Sequence, residues 1–74
     1  MRYTVLVSDE DGMRVVRVPA LPGCFSQGKT VDEALTRAWE AIAGHVAAPR
    51  EFGEPVPVEE APPIVASVEI QAAA

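Results

Sequence analysis

One stretch able to form a long amphipathic helix, residues 31–46, stands among short segments whose polarity alternates at every second residue. A chain with a single helix cannot bury an apolar stripe on another helix. It must lay that stripe on a sheet built from the short segments. Val31, Ala34, Leu35, Ala38, Ile42 and Val46 recur at helical spacing, and Trp39 and Ala43 widen the stripe. Thr30-Val31-Asp32-Glu33 reads as a capping box. The Thr30 hydroxyl accepts from the Glu33 amide, and the Glu33 carboxylate is expected to reach back to the Thr30 amide. Asp32 and Glu33 also lie where the helix dipole favours negative charge. The helix is predicted from Val31 to about Val46 or Ala48, with Pro49 ending it and Gly44 weakening its last turn.

Residues 2–8 alternate, with Tyr3, Val5 and Val7 on one face and Thr4, Leu6 and Ser8 on the other, which predicts a first strand. Asp11-Gly12 is a hairpin turn signal, because a two-residue turn of the right twist needs positive φ. Met13–Val18 is a second strand, with Arg14, Val16 and Val18 on one face and Met13, Val15 and Arg17 on the other. Pro19 and Pro22 lack the amide that a ladder needs, so the sheet breaks there. Cys24–Gln27 is a short third strand closed by Gly28. Five prolines and four glutamates between Pro49 and Pro63 predict an extended connection. Ile64–Ile70 alternates again and predicts a fourth strand, which a right-handed crossover would lay parallel to the first. Residues 71–74 are expected to fray. The expected fold class is α+β, in the order β-β-β-α-β: one domain, residues 1–74, with a four-stranded sheet and one helix packed on one face. Apolar residues on both faces of strands one, two and four leave an uncovered face that must meet water or another protein.

A chain of 74 residues has a thin core, so self-association is an expected supplement. Eleven acidic and six basic residues give a formal charge of −5, which suits a basic protein partner better than a phosphate backbone. No apolar run approaches the roughly 20 residues that a membrane span needs. Met1-Arg2-Tyr3-Thr4 runs straight into a strand pattern without a signal-peptide build, and the reading is cytoplasmic, with no membrane partner. Cys24 stands alone, so it forms no internal disulfide and reads as a small buried hydrophobe.

From Tyr3 to Val46 the chain resembles the HicB-type antitoxins. The resemblance lies in an N-terminal strand, then Asp11-Gly12, then Pro19-Ala20-Leu21-Pro22-Gly23-Cys24-Phe25-Ser26-Gln27-Gly28. Thr30-Val31-Asp32-Glu33-Ala34-Leu35, Ala38 and Ala41-Ile42 follow, with Gly53-Glu54-Pro55-Val56-Pro57 after the helix. It implies a partial ribonuclease-H-like fold without catalytic function. It also implies a non-catalytic protein-binding role, occluding HicA, a small ribonuclease that cleaves messenger RNA. Many members carry an additional C-terminal helix-turn-helix or ribbon-helix-helix domain that binds the promoter. Four residues follow Ile70 here, so no DNA binding by this chain alone is expected.

The ribonuclease-H resemblance invites a two-metal reading of Asp9 or Asp11, Glu33 and Glu69. Each has a duller role: a turn for the aspartates, a cap for Glu33, and an outward position on a terminal strand for Glu69. His45 sits near the helix C-terminus, where a partly charged imidazole is favourable, without companions for base or metal work. Trp39 reads as a core or interface anchor. Arg2, Arg14 and Arg17 read as solvated or paired with carboxylates rather than as an RNA-binding set. Gly23-x-x-x-x-Gly28-Lys29-Thr30 matches the bare phosphate-loop pattern, but Cys24–Gln27 reads as strand and not as a loop of free amides. No catalytic, cofactor-binding or metal residue is therefore assigned. The expected partners are a second copy, in a homodimer or higher oligomer, and a HicA-type ribonuclease. The alternative is a stand-alone homo-oligomeric structural or regulatory protein with no toxin partner.

Overall fold

The computed structural model describes residues 1–72. Three strands, β1 (Leu6–Glu10), β2 (Met13–Arg17) and β3 (Phe25–Gly28), precede one helix, α1 (Val31–Glu51). The sheet is antiparallel throughout, in the order β1-β2-β3. Asp11 and Gly12 form the expected hairpin turn, with φ of 51° and 82° between the paired residues Glu10 and Met13. Positive φ at both turn residues matches the right-handed twist of the strands they join. The strand β1 starts later than its alternation suggests. Leu6 is paired with Arg17, where β2 ends, so residues 2–5 have no neighbouring strand. They are held instead by the chain after the helix: Glu59 accepts from the Thr4 amide at 2.9 Å and from its hydroxyl at 3.1 Å, and the Tyr3 hydroxyl donates to the Pro57 carbonyl.

Between β2 and β3, Leu21 donates to the Val18 carbonyl and Cys24 to the Leu21 carbonyl, at 3.0 and 2.9 Å. These tight turns carry Leu21 inward, where it is buried with Val18 and Cys24 against Tyr3, Val5, Ala41 and Ile42. A second cluster, Val16 with Ala34 and Ala38, lies where α1 crosses β2 and β3. Small residues allow that close approach. The buried Ser26 hydroxyl donates to the Ala34 carbonyl at 2.7 Å and ties β3 to the helix.

The helix starts at Val31, with the Thr30 hydroxyl accepting from the Glu33 amide at 3.1 Å. The other half of the capping box is not formed. The Glu33 carboxylate turns along the helix to Arg37, 3.0 Å away, because an (i, i+4) ion pair competes for it. Thr30→Ala should still lower stability by about 0.5–2 kcal/mol through loss of the cap. Chemical denaturation would read this as a lower midpoint with an unchanged slope.

Two expectations about the C-terminal half are corrected. The helix does not end at Pro49 but runs through it to Glu51. Its stop is Gly53, at φ 69°. The Gly53 amide donates to Arg50 at 3.2 Å and the Glu54 amide to Pro49 at 2.7 Å, the paired bonds of a Schellman motif. A proline removes one amide from a helix but does not supply the left-handed residue that closes it. Among the described residues the sheet has three strands, and the expected fourth is not formed. Ile64–Ile70 has no assigned secondary structure and joins no ladder, and Ile64, Val65, Val68 and Ile70 are 76–92% exposed. Alternation records two faces of a segment; it does not supply a neighbour. The radius of gyration, 15.2 Å, reflects this projecting segment. A compact chain of this length would have about 11 Å. Among the expected fraying residues, Ala73 and Ala74 lie outside the described residues.

Candidate protein-binding surface

The sheet and helix bury few large side chains, so much of the apolar surface faces outward. On the sheet face away from α1, Leu6 and Phe25 lie beside Pro19, Pro22, Gly23 and the stem of Arg17 in a shallow open depression. Phe25 is 61% exposed there. A second apolar groove, about 430 Å³, runs between Met1–Tyr3 and Trp39, Ile42, Ala43 and Val46 of α1. Trp39 is 72% exposed. It is therefore not a core residue, because α1 packs over β2 and β3 with its alanines and turns Leu35 and Trp39 outward. The helical stripe is wider than the three-stranded sheet can cover. The sequence shows the stripe but not which part of it is left over.

The charged residues pair locally. Arg14 is bonded to Asp9 across the hairpin, and Arg17 to Glu10 at 2.6 Å. Arg37 bridges Glu33 and the Gln27 carbonyl. Hydrogen bonds from Arg17 and then from Ser8 hold the Glu10 carboxyl below its ordinary range. A carboxyl lowered on folding stabilises the fold above its unfolded value and loses that effect as pH falls through the folded value. The melting difference between the parent and Glu10→Gln should therefore be measurable at pH 7 and vanish in acid. A difference that grew in acid would contradict this pairing.

The carboxylates considered for metal binding do not converge. Asp9 is on Arg14, Asp11 is in the turn, Glu33 is on Arg37, and Glu69 is on the exposed extended segment. Among the described residues no group of three or more His, Cys, Asp or Glu side chains could hold a metal ion. His45 Nδ1 lies 3.1 Å from the Ala41 carbonyl, a bond within its own helix. Cys24 is buried, and burial pushes its thiol pKa up. Gly23-x-x-x-x-Gly28-Lys29-Thr30 folds as a turn and strand β3, with Ser26 and Gly28 packed against α1, so its amides do not form a phosphate cradle. No helix among the described residues is long and apolar enough to cross a membrane.

The described residues thus leave apolar side chains exposed on both the sheet and the helix. A family profile described as "HicB_like antitoxin of bacterial toxin-antitoxin system" matches residues 3–72. The chain belongs to the HicB-like antitoxin family. A solved HicB-like structure, the N-terminal domain of the antitoxin HicB from Burkholderia pseudomallei, is 39% identical, with a TM-score of 0.68 over 81% of this chain and 69% of that one. A UPF0150 protein of Thermoplasma acidophilum is 50% identical over 62 residues, covering 82% of this chain and 90% of its own. A 14.9 kDa protein from the rep–hol intergenic region of Haemophilus phage HP1 is 40% identical over 57 residues, which is 77% of this chain but 43% of the phage protein. The HicB-like match extends past the helix and takes in the segment that stands free of the sheet.

Proposed function

We propose that the chain is a non-catalytic protein-binding module that blocks a small, basic HicA-type ribonuclease by covering its active site. The family match over residues 3–72 is the observation that carries this reading. The charge of −5 suits a basic partner and speeds encounter, while exposed apolar residues such as Leu6 and Phe25 supply contact area. Arg14, Arg17 and Arg37 are paired with Asp9, Glu10 and Glu33, and the net charge is −5, so the chain alone does not bind promoter DNA in this reading. The setting is cytoplasmic, where messenger RNA is available.

Co-expression with a HicA-type ribonuclease and affinity capture test the proposal. The complex should form, and added salt should weaken it mainly by slowing association. Phe25→Glu should weaken it without unfolding the chain. A promoter gel shift by the lone chain at physiological salt would contradict the DNA part of the reading. A homo-oligomer without a toxin partner is the second reading. The observation favouring it is the exposed apolar segment Ile64–Ile70.

A further inference from the structure

An exposed segment with strand periodicity and an unpaired sheet edge occur in the same chain. Residues 64–70 carry Ile64, Ala66, Val68 and Ile70 on one side and Val65, Ser67 and Glu69 on the other. Such a segment is too apolar for a solvated tail, and an unpaired strand of this kind recruits a neighbour. Of the two sheet edges, β3 is the poorer acceptor. It has four residues, ends at Gly28, and its Gln27 carbonyl already accepts from Arg37. The β1 edge has no such cover over Leu6–Glu10 and no proline or lysine to blunt it. Seven extended residues span about 23 Å, enough to run the length of β1.

The connection explains why the segment does not fold back onto its own β1. Glu59 is fixed on Thr4, the chain bends at Glu60 and Ala61, and Pro62-Pro63 come next. Proline fixes φ and also drives the residue before it into extended geometry. The bend and the two φ-restricted prolines after it lead into residues 64–70, which stand exposed, off the body. A hinge that resists closing within one chain favours closing between two. The groove beside Trp39, Ile42 and Val46 gives the incoming strand an apolar surface to cover.

We propose that two copies exchange residues Ile64–Ile70, each segment adding as a fourth strand to the β1 edge of the other copy and covering its Trp39 groove. The arrangement is two-fold symmetric and uses each unpaired element once. It does not depend on the ribonuclease reading, and it gives the homo-oligomer a specific surface.

The test uses the full chain. Sedimentation at tens of micromolar should give twice the chain mass, and Ala66→Pro, which removes a ladder amide, should give the single-chain mass. Position 66 lies outside the buried clusters, and an unchanged circular dichroism melt of the variant would show that the body still folds. In a dimer mixed from isotope-labelled and unlabelled copies, filtered NOEs should connect residues 64–70 of one copy to residues 6–10 of the other. A monomeric parent, a dimer that survives Ala66→Pro, or NOEs confined within one copy would each overturn the proposal. Ribonuclease capture is scored separately, so loss of either property leaves the other readable.

Discussion

Gly28→Ala should be among the most damaging single-methyl changes in this protein, lowering stability by about 2–3 kcal/mol. A Cβ at position 28 would lie 2.7 Å from the Ala34 amide nitrogen and 3.0 Å from Glu33 Cβ and Cγ. The Glu33 side chain can turn aside, but the Ala34 nitrogen belongs to the first helical turn. Either β3 or the helix start must move, and that shift also strains the Ser26–Ala34 bond and the Thr30 cap. Gly44→Ala is the control. Nothing lies within 4 Å of a Cβ there, so alanine should stabilise the helix by about 0.5–1 kcal/mol. Thermal melts should move in opposite directions for the two variants, and a neutral Gly28→Ala would show that the helix does not sit this close to the sheet.

Val16→Ala should cost about 2–3 kcal/mol, combining lost transfer energy with an incompletely filled cavity. Val16 is the one large side chain among the described residues that is fully buried. It sits on the central strand, β2, between Val7 and Ser26, under Ala34 and Ala38. The neighbours on the helix are alanines, which have no side chain to swing into the space. In a domain this small, each kcal/mol moves the melting temperature by about 4–8 °C. Val7→Ala, at the half-exposed position paired with Val16, should cost well under half as much. Equal effects at the two positions would mean that β1 is covered by something as well packed as α1.

The hairpin, β2 and the helix start were legible because their signals are local: Asp11-Gly12, a run of valines, and Thr30 three residues before Glu33. The helix end differs from the expectation because Pro49 is a louder signal than Gly53, yet it is the left-handed turn at Gly53 that brings the Gly53 and Glu54 amides onto the last carbonyls. Trp39 reads from the stripe as a core or interface anchor and is not in the core, because a stripe does not reveal which of its residues a three-stranded sheet can reach. The fourth strand failed for a different reason. Ile64–Ile70 has strand periodicity, but pairing depends on a neighbour that no local pattern names. The same gap affects the binding surface. Leu6 and Phe25 are apolar strand residues by pattern, and only the one-sided placement of α1 exposes them.

In the proposed reading this HicB-like chain covers a ribonuclease and performs no chemistry itself. A titration tests it most directly: a purified HicA-type ribonuclease cleaving a labelled messenger RNA, with increasing amounts of this chain. Cleavage should fall to zero at a fixed molar ratio, the chain alone should leave the RNA intact with Mg²⁺ or Mn²⁺ present, and Asp11→Asn and Glu69→Gln should inhibit like the parent. Undiminished cleavage at a large molar excess of the chain, or cleavage by the chain alone that disappears in those two variants, would contradict it.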